Sequence, residues 1–342
     1  MFMYNNDFRK IIFAYIFSFS FTYVLFISNI KSNIISLKDN IANMTSIDSF
    51  LIFILAFTFI TVTLIFYFSY KYNNNQVMTI YLFLNGLFII CLAFAYLDIK
   101  NLMFGNPNFN EKVIMLLIIS LVFLYSSRHF LIYGRSFKSL SLEHEDFRFA
   151  SFREGFGDRK FLYWLCSYLF LHLFQLMLEA CLFYYAFQVI VIFDTFEKEQ
   201  NNQHREMFYI SYIGYFISMI GFIIESVSDE QLYYFRIDRE RINLMTSKNE
   251  ESKNNKIIKR GLWNRIRHPN YLGEIIYFFG LLVINYGVSK EVSFIKVLPL
   301  LLYTSMFVFY SIPAMEERLL TKYRDEYFEY QRTTYKLMPY IY

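Results

Sequence analysis

Residues 11–30 read IIFAYIFSFSFTYVLFISNI and residues 50–69 read FLIFILAFTFITVTLIFYFS, two runs of twenty positions without a charged side chain. A helix of that length crosses a hydrocarbon core of about 30 Å. Comparable apolar stretches recur near 77–97, 113–133, 161–193, 207–226, 272–288 and 294–313. The pattern predicts an all-α, polytopic transmembrane helix bundle of about seven or eight membrane helices. The stretch 161–193 is longer than one crossing needs, as a tilted or kinked helix would be. Ile11–Ile30 follows Arg9 and Lys10, is long for a signal h-region and lacks a small-residue cleavage site. It therefore reads as a retained first helix.

Composition agrees with that reading. Hydrophobic residues make up 56% of the 342 positions, aromatics 22% (42 Phe, 30 Tyr, 2 Trp) and charged residues only 18%. An ordinary soluble domain carries about 25% charge. Disorder, collagen-like repeats and coiled coil are excluded on these numbers. Cys91, Cys166 and Cys181 all fall in apolar runs without paired spacing. They read as buried thiols, so neither a disulfide framework nor a metal site is expected.

Charge orients the chain. If the segments alternate, one side receives 1–10, 70–76, 134–160, 229–271 and 314–342, with 24 Lys and Arg in total. The opposite loops hold 7, and Arg128 and Lys296 lie within segments. By the positive-inside rule both termini are cytoplasmic. The polar stretch 248–259, KNEESKNNKIIK, reads as a flexible insertion on the same side. Two regions follow: N-terminal transmembrane helices over 1–110, and a domain over 111–342 that holds the polar clusters. Membrane lipids are the expected surroundings, and nucleic acid is not an expected partner.

Three clusters fall on the predicted cytoplasmic side. The first is Gly261–Glu274, GLWNRIRHPNYLGE. Pro269 suits the first turn of a helix, where its missing N–H leaves nothing unsatisfied. Arg265, Arg267 and His268 then sit at the mouth, and Asn270 and Glu274, four apart, share a face. A helix N-terminus flanked by arginines suits phosphate. The plainer alternative is a basic membrane flank with an aromatic belt. The second cluster is Glu225, Asp229 and Gln231. Glu225 and Asp229 share a face, whereas Gln231 lies about 200° from Asp229, so all three meet one ligand only if the helix breaks near Ser228. Acids at membrane depth usually face a cavity or bundle interior; a structural pairing of this cluster with Arg236 is the alternative. The third is Glu145, Asp146 and Arg148, with Arg128, Arg135 and Arg153 around it, which reads as a solvated loop or as a set of hydrogen-bonding and phosphate groups.

A deeper stripe runs along 161–193: His172, Gln175 and Glu179 recur at i, i+3 and i+7. It is either interhelical glue or the wall of a pocket that orients or protonates an apolar substrate. There is no Walker loop, no zinc-protease motif and no dinucleotide fingerprint after a strand, so any nucleotide binds in a helical scaffold.

The box Gly261–Glu274, followed by P-x-x-E-E-R from Pro313, Y-x-x-Y-x-R-T from Tyr327 and Pro339, resembles the C-terminal half of the steroid 5α-reductase superfamily. It is closest to the DUF1295 branch. Gly221-Phe222, Glu225, Asp229-x-Gln231 and Phe235 are similar to the upstream family pattern. Glu145-Asp146-x-Arg148 is similar to its E-D-P-R-Y, with Phe147 and Phe149 in place of Pro and Tyr, and Gln175 matches a Gln that follows. The resemblance covers roughly 115–342.

It implies NADPH bound from the cytoplasm within the last helices, with hydride transfer to an activated C=C of a lipid or steroid-like enone. The residues it implies for the cofactor are Glu145, Asp146, Arg148, Glu225, Asp229, Gln231, Trp263, Arg267, His268, Asn270, Tyr271, Glu274, Glu316 and Tyr330. Reduction of an enone also needs an acid near the developing enolate oxygen. Tyr271 is the first candidate, with Tyr330 and Glu179 behind it. In a eukaryote the membrane would be the endoplasmic reticulum. The same box also resembles isoprenylcysteine-type and phospholipid-type methyltransferases that use S-adenosylmethionine. Two further readings are a non-enzymatic sterol-binding or scaffold protein and a transporter; the few intramembrane charges show no repeat symmetry that a transporter would need.

Overall fold

The computed structural model describes residues 59, 62–63, 65–75, 109–135, 147–173, 208–245 and 257–338. The chain divides into two compact units, 1–204 and 205–342. All described elements are helical apart from one isolated parallel bridge, Ile266 to Tyr335. Three helices are long and apolar enough to cross a membrane: Phe208–Ile242, Pro269–Ser289 and Lys296–Thr333. The expected crossings at 11–30 and 77–97 lie outside the described residues, as do most of 50–69 and the second half of 161–193.

The first unit contains α1 (Phe109–Arg135), α2 (Phe147–Glu154) and α3 (Lys160–Cys166), the last running into a π-helical turn, Ser167–His172. Ile114, Ile118, Leu121 and Tyr125 are buried along one face of α1 at the 3.6-residue period. Phe156, Tyr163, Trp164 and Cys166 form a second core, with Phe66, Phe152 and Phe170 against it. A polar network threads this core. Asn75 donates Nδ2 to Tyr163 Oη at 2.6 Å and accepts from Ser167 Oγ at 3.0 Å. His172 lies 3.0 Å by Nδ1 from the Ser167 carbonyl and 3.2 Å by Nε2 from Ser69 Oγ. A carbonyl only accepts, so Nδ1 carries the proton and Nε2 accepts from the serine.

The second unit is built on an antiparallel pair, α4 (Phe208–Met245) and α5 (Pro269–Ser289). The polypeptide then continues through α6 (Phe294–Met306), a π-helical turn (Phe307–Ser311) and α7 (Ile312–Thr333), which breaks at Arg324 (φ 41, ψ -115) into two helical segments. Pro313 explains that turn: it lacks an N–H and its ring crowds the preceding turn, and a widened turn relieves both.

Small residues let α4 and α5 approach closely. Ser211, Gly214, Ser218 and Gly221 alternate at three and four residues, and Gly273, Gly280 and Gly287 repeat every seven. A methyl on Gly221 would overlap the backbone of Tyr277 and Gly273, and one on Gly280 would overlap Ser218. Ser211 Oγ donates to the Ile284 carbonyl and Ser218 Oγ to the Tyr277 carbonyl, both at 3.0 Å. This is small-residue packing of the kind that associates helices in lipid, where dispersion and hydrogen bonds do the work.

Two expectations are corrected. The stretch from 229 onward reads as a loop, but the helix that begins in the 207–226 stretch runs unbroken to Met245, so the condition for Glu225, Asp229 and Gln231 to meet one ligand, a break near Ser228, is not met. Residues 227–245 contain neither Pro nor Gly, and their charges are compatible with an exposed helix even though they read as loop on hydropathy. The end of the 248–259 stretch is also not a solvated insertion: Ile257 and Ile258 are buried, and Ile257 packs on Tyr327 and Tyr330.

Candidate functional site

The polar residues of the second unit collect at the N-terminal end of α5. Pro269 opens this helix, with His268 at the N-cap making no side-chain cap bond. Ahead of it a short 3-10 turn, Gly261–Asn264, is clasped from three sides. Gly261 has φ 61, a left-handed conformation that glycine adopts without strain, and it lies directly against the Gln231 side chain. Gln231 Oε1 accepts from the Leu262 N–H at 3.0 Å. Trp263 donates Nε1 to the Ser228 carbonyl at 3.0 Å, and Tyr330 Oη donates to the Trp263 carbonyl.

The next residues form a buried ionic hub. Arg267 and Glu316 are each 7% exposed. Arg267 Nε donates to Glu316 Oε1 at 2.6 Å, and its Nη1 donates to the carbonyls of Gln331 (3.0 Å) and Thr334. His268 Nε2 lies 3.3 Å from the same carboxylate oxygen, and Gln331 Nε2 donates to the other at 3.1 Å. Burial, opposed by the Glu316 hydrogen bond and charge, holds His268 below its ordinary pKa. His268 is therefore neutral near pH 7 and donates as an imidazole, while the ion pair proper is Arg267 with Glu316.

An aromatic stack follows. The His268 ring lies flat on Tyr271 at 5.5 Å, and Tyr271 lies flat on Phe307 at 4.5 Å. On the adjoining face are Asn270 and Glu274, both half-buried, and Glu225, which is 3% exposed against Gly273. Asn270 Oδ1 is fully buried without a hydrogen-bond partner. Asp229 is half-buried on α4, within electrostatic reach of Arg236.

The fold thus brings together Glu225, Asp229, Gln231, Trp263, Arg267, His268, Asn270, Tyr271, Glu274, Glu316 and Tyr330 within the second unit. Within that set Gln231, Trp263 and Tyr330 hold the 3-10 turn, and Arg267 and Glu316 hold the hub, through bonds to the protein itself. Glu145, Asp146, Gln175 and Glu179 lie outside the described residues. Arg148 is in α2, in the first unit. His172 has both ring nitrogens engaged inside the first unit's core. Gln331 and Phe307 carry no functional reading in the sequence, and Ser228 carries none beyond the position of a helix break. The signal for Ser228 was its place in the run of small residues along α4, and for Phe307 its place six residues before Pro313. Among the described residues, no group of three or more His, Cys, Asp or Glu side chains is arranged to hold a metal ion.

By class, then, the second unit is a helical scaffold with three helices of membrane-crossing length and a polar mouth at one end of a tightly packed helix pair. The chain belongs to the DUF1295 family, whose sequence profile, described as "Protein of unknown function (DUF1295)", matches residues 89–334. No solved structure matches the chain.

Proposed function

We propose that this chain is an integral-membrane oxidoreductase that binds NADPH at the N-terminal end of α5, on the cytoplasmic side, and reduces a C=C bond in a lipid or steroid-like enone. The observation that carries the reading is the buried, unpartnered Oδ1 of Asn270. A buried polar atom without a partner costs about 1–3 kcal/mol, and a ligand that brings an N–H donor removes that penalty. The carboxamide of a nicotinamide is such a donor. Glu274, one turn further along α5, and Glu225, across from Gly273, add acceptors suited to the carboxamide and ribose hydroxyls. The first turn of α5, where a helix characteristically leaves N–H groups without intrahelical partners, suits phosphate, and exposed Arg265 lies beside it.

When bound, the dihydronicotinamide supplies a hydride. The chain's own residues bind and orient it and supply a proton. Attack at the β-carbon of an enone moves an electron pair onto the carbonyl oxygen, where Tyr271 is our first choice of donor. Its ring stacks on both His268 and Phe307, which restricts the direction of its hydroxyl.

One observation favours the methyltransferase reading instead. The side chain of Arg267 is engaged by Glu316 and two backbone carbonyls, and S-adenosylmethionine carries no phosphate for it to meet. Asn270→Leu provides the test of the NADPH reading. The substitution removes the orphaned acceptor, so the ligand-free protein should melt no lower than wild type. NADPH affinity, followed by cofactor fluorescence, should fall about tenfold or more, equivalent to about 1.4 kcal/mol. Unchanged affinity would contradict the assignment.

A further inference from the structure

We infer that Arg267 and Glu316 form a latch that ties the first turn of α5 to the C-terminal strap, residues 334–338, and that both act as positioning residues for Asn270 and Tyr271. The inference rests on the cofactor reading above for its consequence, and on geometry alone for the latch itself.

Arg267 joins the strap through both its backbone and its side chain. Its N–H donates to the Tyr335 carbonyl at 2.9 Å, and the Tyr335 N–H donates back to the Arg265 carbonyl at 3.0 Å. Its guanidinium meets the carbonyls of Gln331 and Thr334, at the C-terminal end of α7, where the last turn of a helix leaves acceptors without intrahelical donors. A side chain from outside the helix thus caps α7, and a positive charge there also suits the helix dipole. The same guanidinium meets Glu316, near the start of α7. Glu316 in turn receives His268 and Gln331 on its two oxygens. Leu337, 2% exposed, anchors the strap.

The chain of contact then runs to the site. Glu316 holds His268, His268 lies flat on Tyr271, and Tyr271 lies flat on Phe307, the first residue of the π-helical turn. Asn270 is the next residue after Pro269 in the same turn. The presentation of Asn270 and Tyr271 therefore depends on the strap through Arg267 and Glu316. A guanidinium fork makes bonds in several directions at once; the ammonium of lysine does not reproduce that geometry.

Two measurements decide the matter. The first is hydrogen–deuterium exchange of the ligand-free, full-length protein in detergent, comparing wild type with Arg267→Lys and Glu316→Gln. Exchange should accelerate together in peptides covering 266–275 and 331–338, with peptides covering 277–287 unchanged. Acceleration confined to 331–338 would overturn the latch, because the strap would then loosen without moving the first turn of α5. The second is NADPH affinity at low and high salt. Either variant should lose at least tenfold in affinity with the salt dependence of wild type, and the double variant should be no worse than the weaker single one. Arg260→Ala, at the exposed pair with Asp238, should leave affinity unchanged. A salt dependence reduced only in the Arg267 variant would make that residue a phosphate ligand and overturn its positioning role, as would unchanged affinity. If wild type itself binds no NADPH, the cofactor reading fails, and the exchange experiment still decides the latch.

Discussion

Two regions of the second unit, the α4–α5 seam and the polar mouth ahead of α5, are held by different chemistry. Between Ser211 and Gly221 the contact is made of glycine and serine. Backbones touch, and the hydrogen bonds are short serine-to-carbonyl links such as Ser218 to Tyr277. Around Gln231, Trp263, Arg267 and Glu316 it is made of long polar side chains, a buried ion pair and a capped helix end. Removing an ion pair from water carries a desolvation penalty of several kcal/mol per ion, repaid only when each charge is also hydrogen-bonded. In the hub each charge has several partners. Shape governs the first stretch and bonding the second, so the two should respond to different substitutions.

The largest effect should come from shape. Gly221→Leu drives a side chain into the backbone of Tyr277 and Gly273, which neither helix can yield without separating. Size-exclusion chromatography in detergent should show loss of the monodisperse folded species. A normal elution profile and melting temperature would break the claim that backbone contact defines this seam.

Next comes the hub. Glu316→Ala leaves Arg267 buried without its carboxylate, and breaking a buried pair on one side typically costs about 3–5 kcal/mol. Pairing it with Arg267→Met should recover much of the lost stability in a thermal denaturation series. A double variant as damaged as the single one would contradict the ion-pair account. Trp263→Phe is milder: it keeps a smaller aromatic ring and removes one donor to the Ser228 carbonyl, for about 1 kcal/mol from the bond and a further cost for the lost packing of the buried indole. A loss several times larger would mean that the 3-10 turn is held mainly by that one bond.

The smallest effect is a pH dependence. His268 in the folded protein lies below its ordinary value because burial outweighs its bond to Glu316. As pH falls below about 6.5, the unfolded chain takes up a proton that the folded site resists. This contribution is therefore complete above that pH and lost below it, until the folded imidazole also protonates. Melting temperature between pH 7.5 and 5 should fall more steeply in wild type than in His268→Gln. A steeper fall in the variant would reverse the sign of the argument.

Much of the second unit is legible in the sequence because its signals are local. Pro269 marks the first turn of α5, and uncharged runs mark the first half of α4 and most of α5 and α6, whereas α7 is rich in charge. The box residues declare a polar mouth by their types alone. What escapes notice is long-range or depends on register. The partner of Arg267 is 49 positions away, and nothing local says that its fork meets Glu316 and the end of α7. Gln231 lies about 200° around α4 from Asp229, which on local pattern alone separates it from the Glu225–Asp229 face. It instead projects toward Gly261 from an unbroken α4. The small-residue seam is visible as a three-four alternation, yet hydropathy averages hide it, since glycine and serine weigh little on that scale. His172 reads as one end of a polar stripe; one partner, the Ser167 carbonyl, lies in its own π-helical turn, and the other, Ser69, is 103 positions away.

The central claim is that the mouth at the N-terminal end of α5 is built for a nicotinamide cofactor. The most direct test is the thermal shift of detergent-purified protein titrated separately with NADPH and with S-adenosylmethionine, in wild type and Asn270→Leu. At a hundredfold excess over Kd a specific ligand adds about 2.7 kcal/mol to the folded state. The account predicts a saturable rise in melting temperature with NADPH that Asn270→Leu diminishes, and none with S-adenosylmethionine. A saturable rise with S-adenosylmethionine and none with NADPH would contradict it.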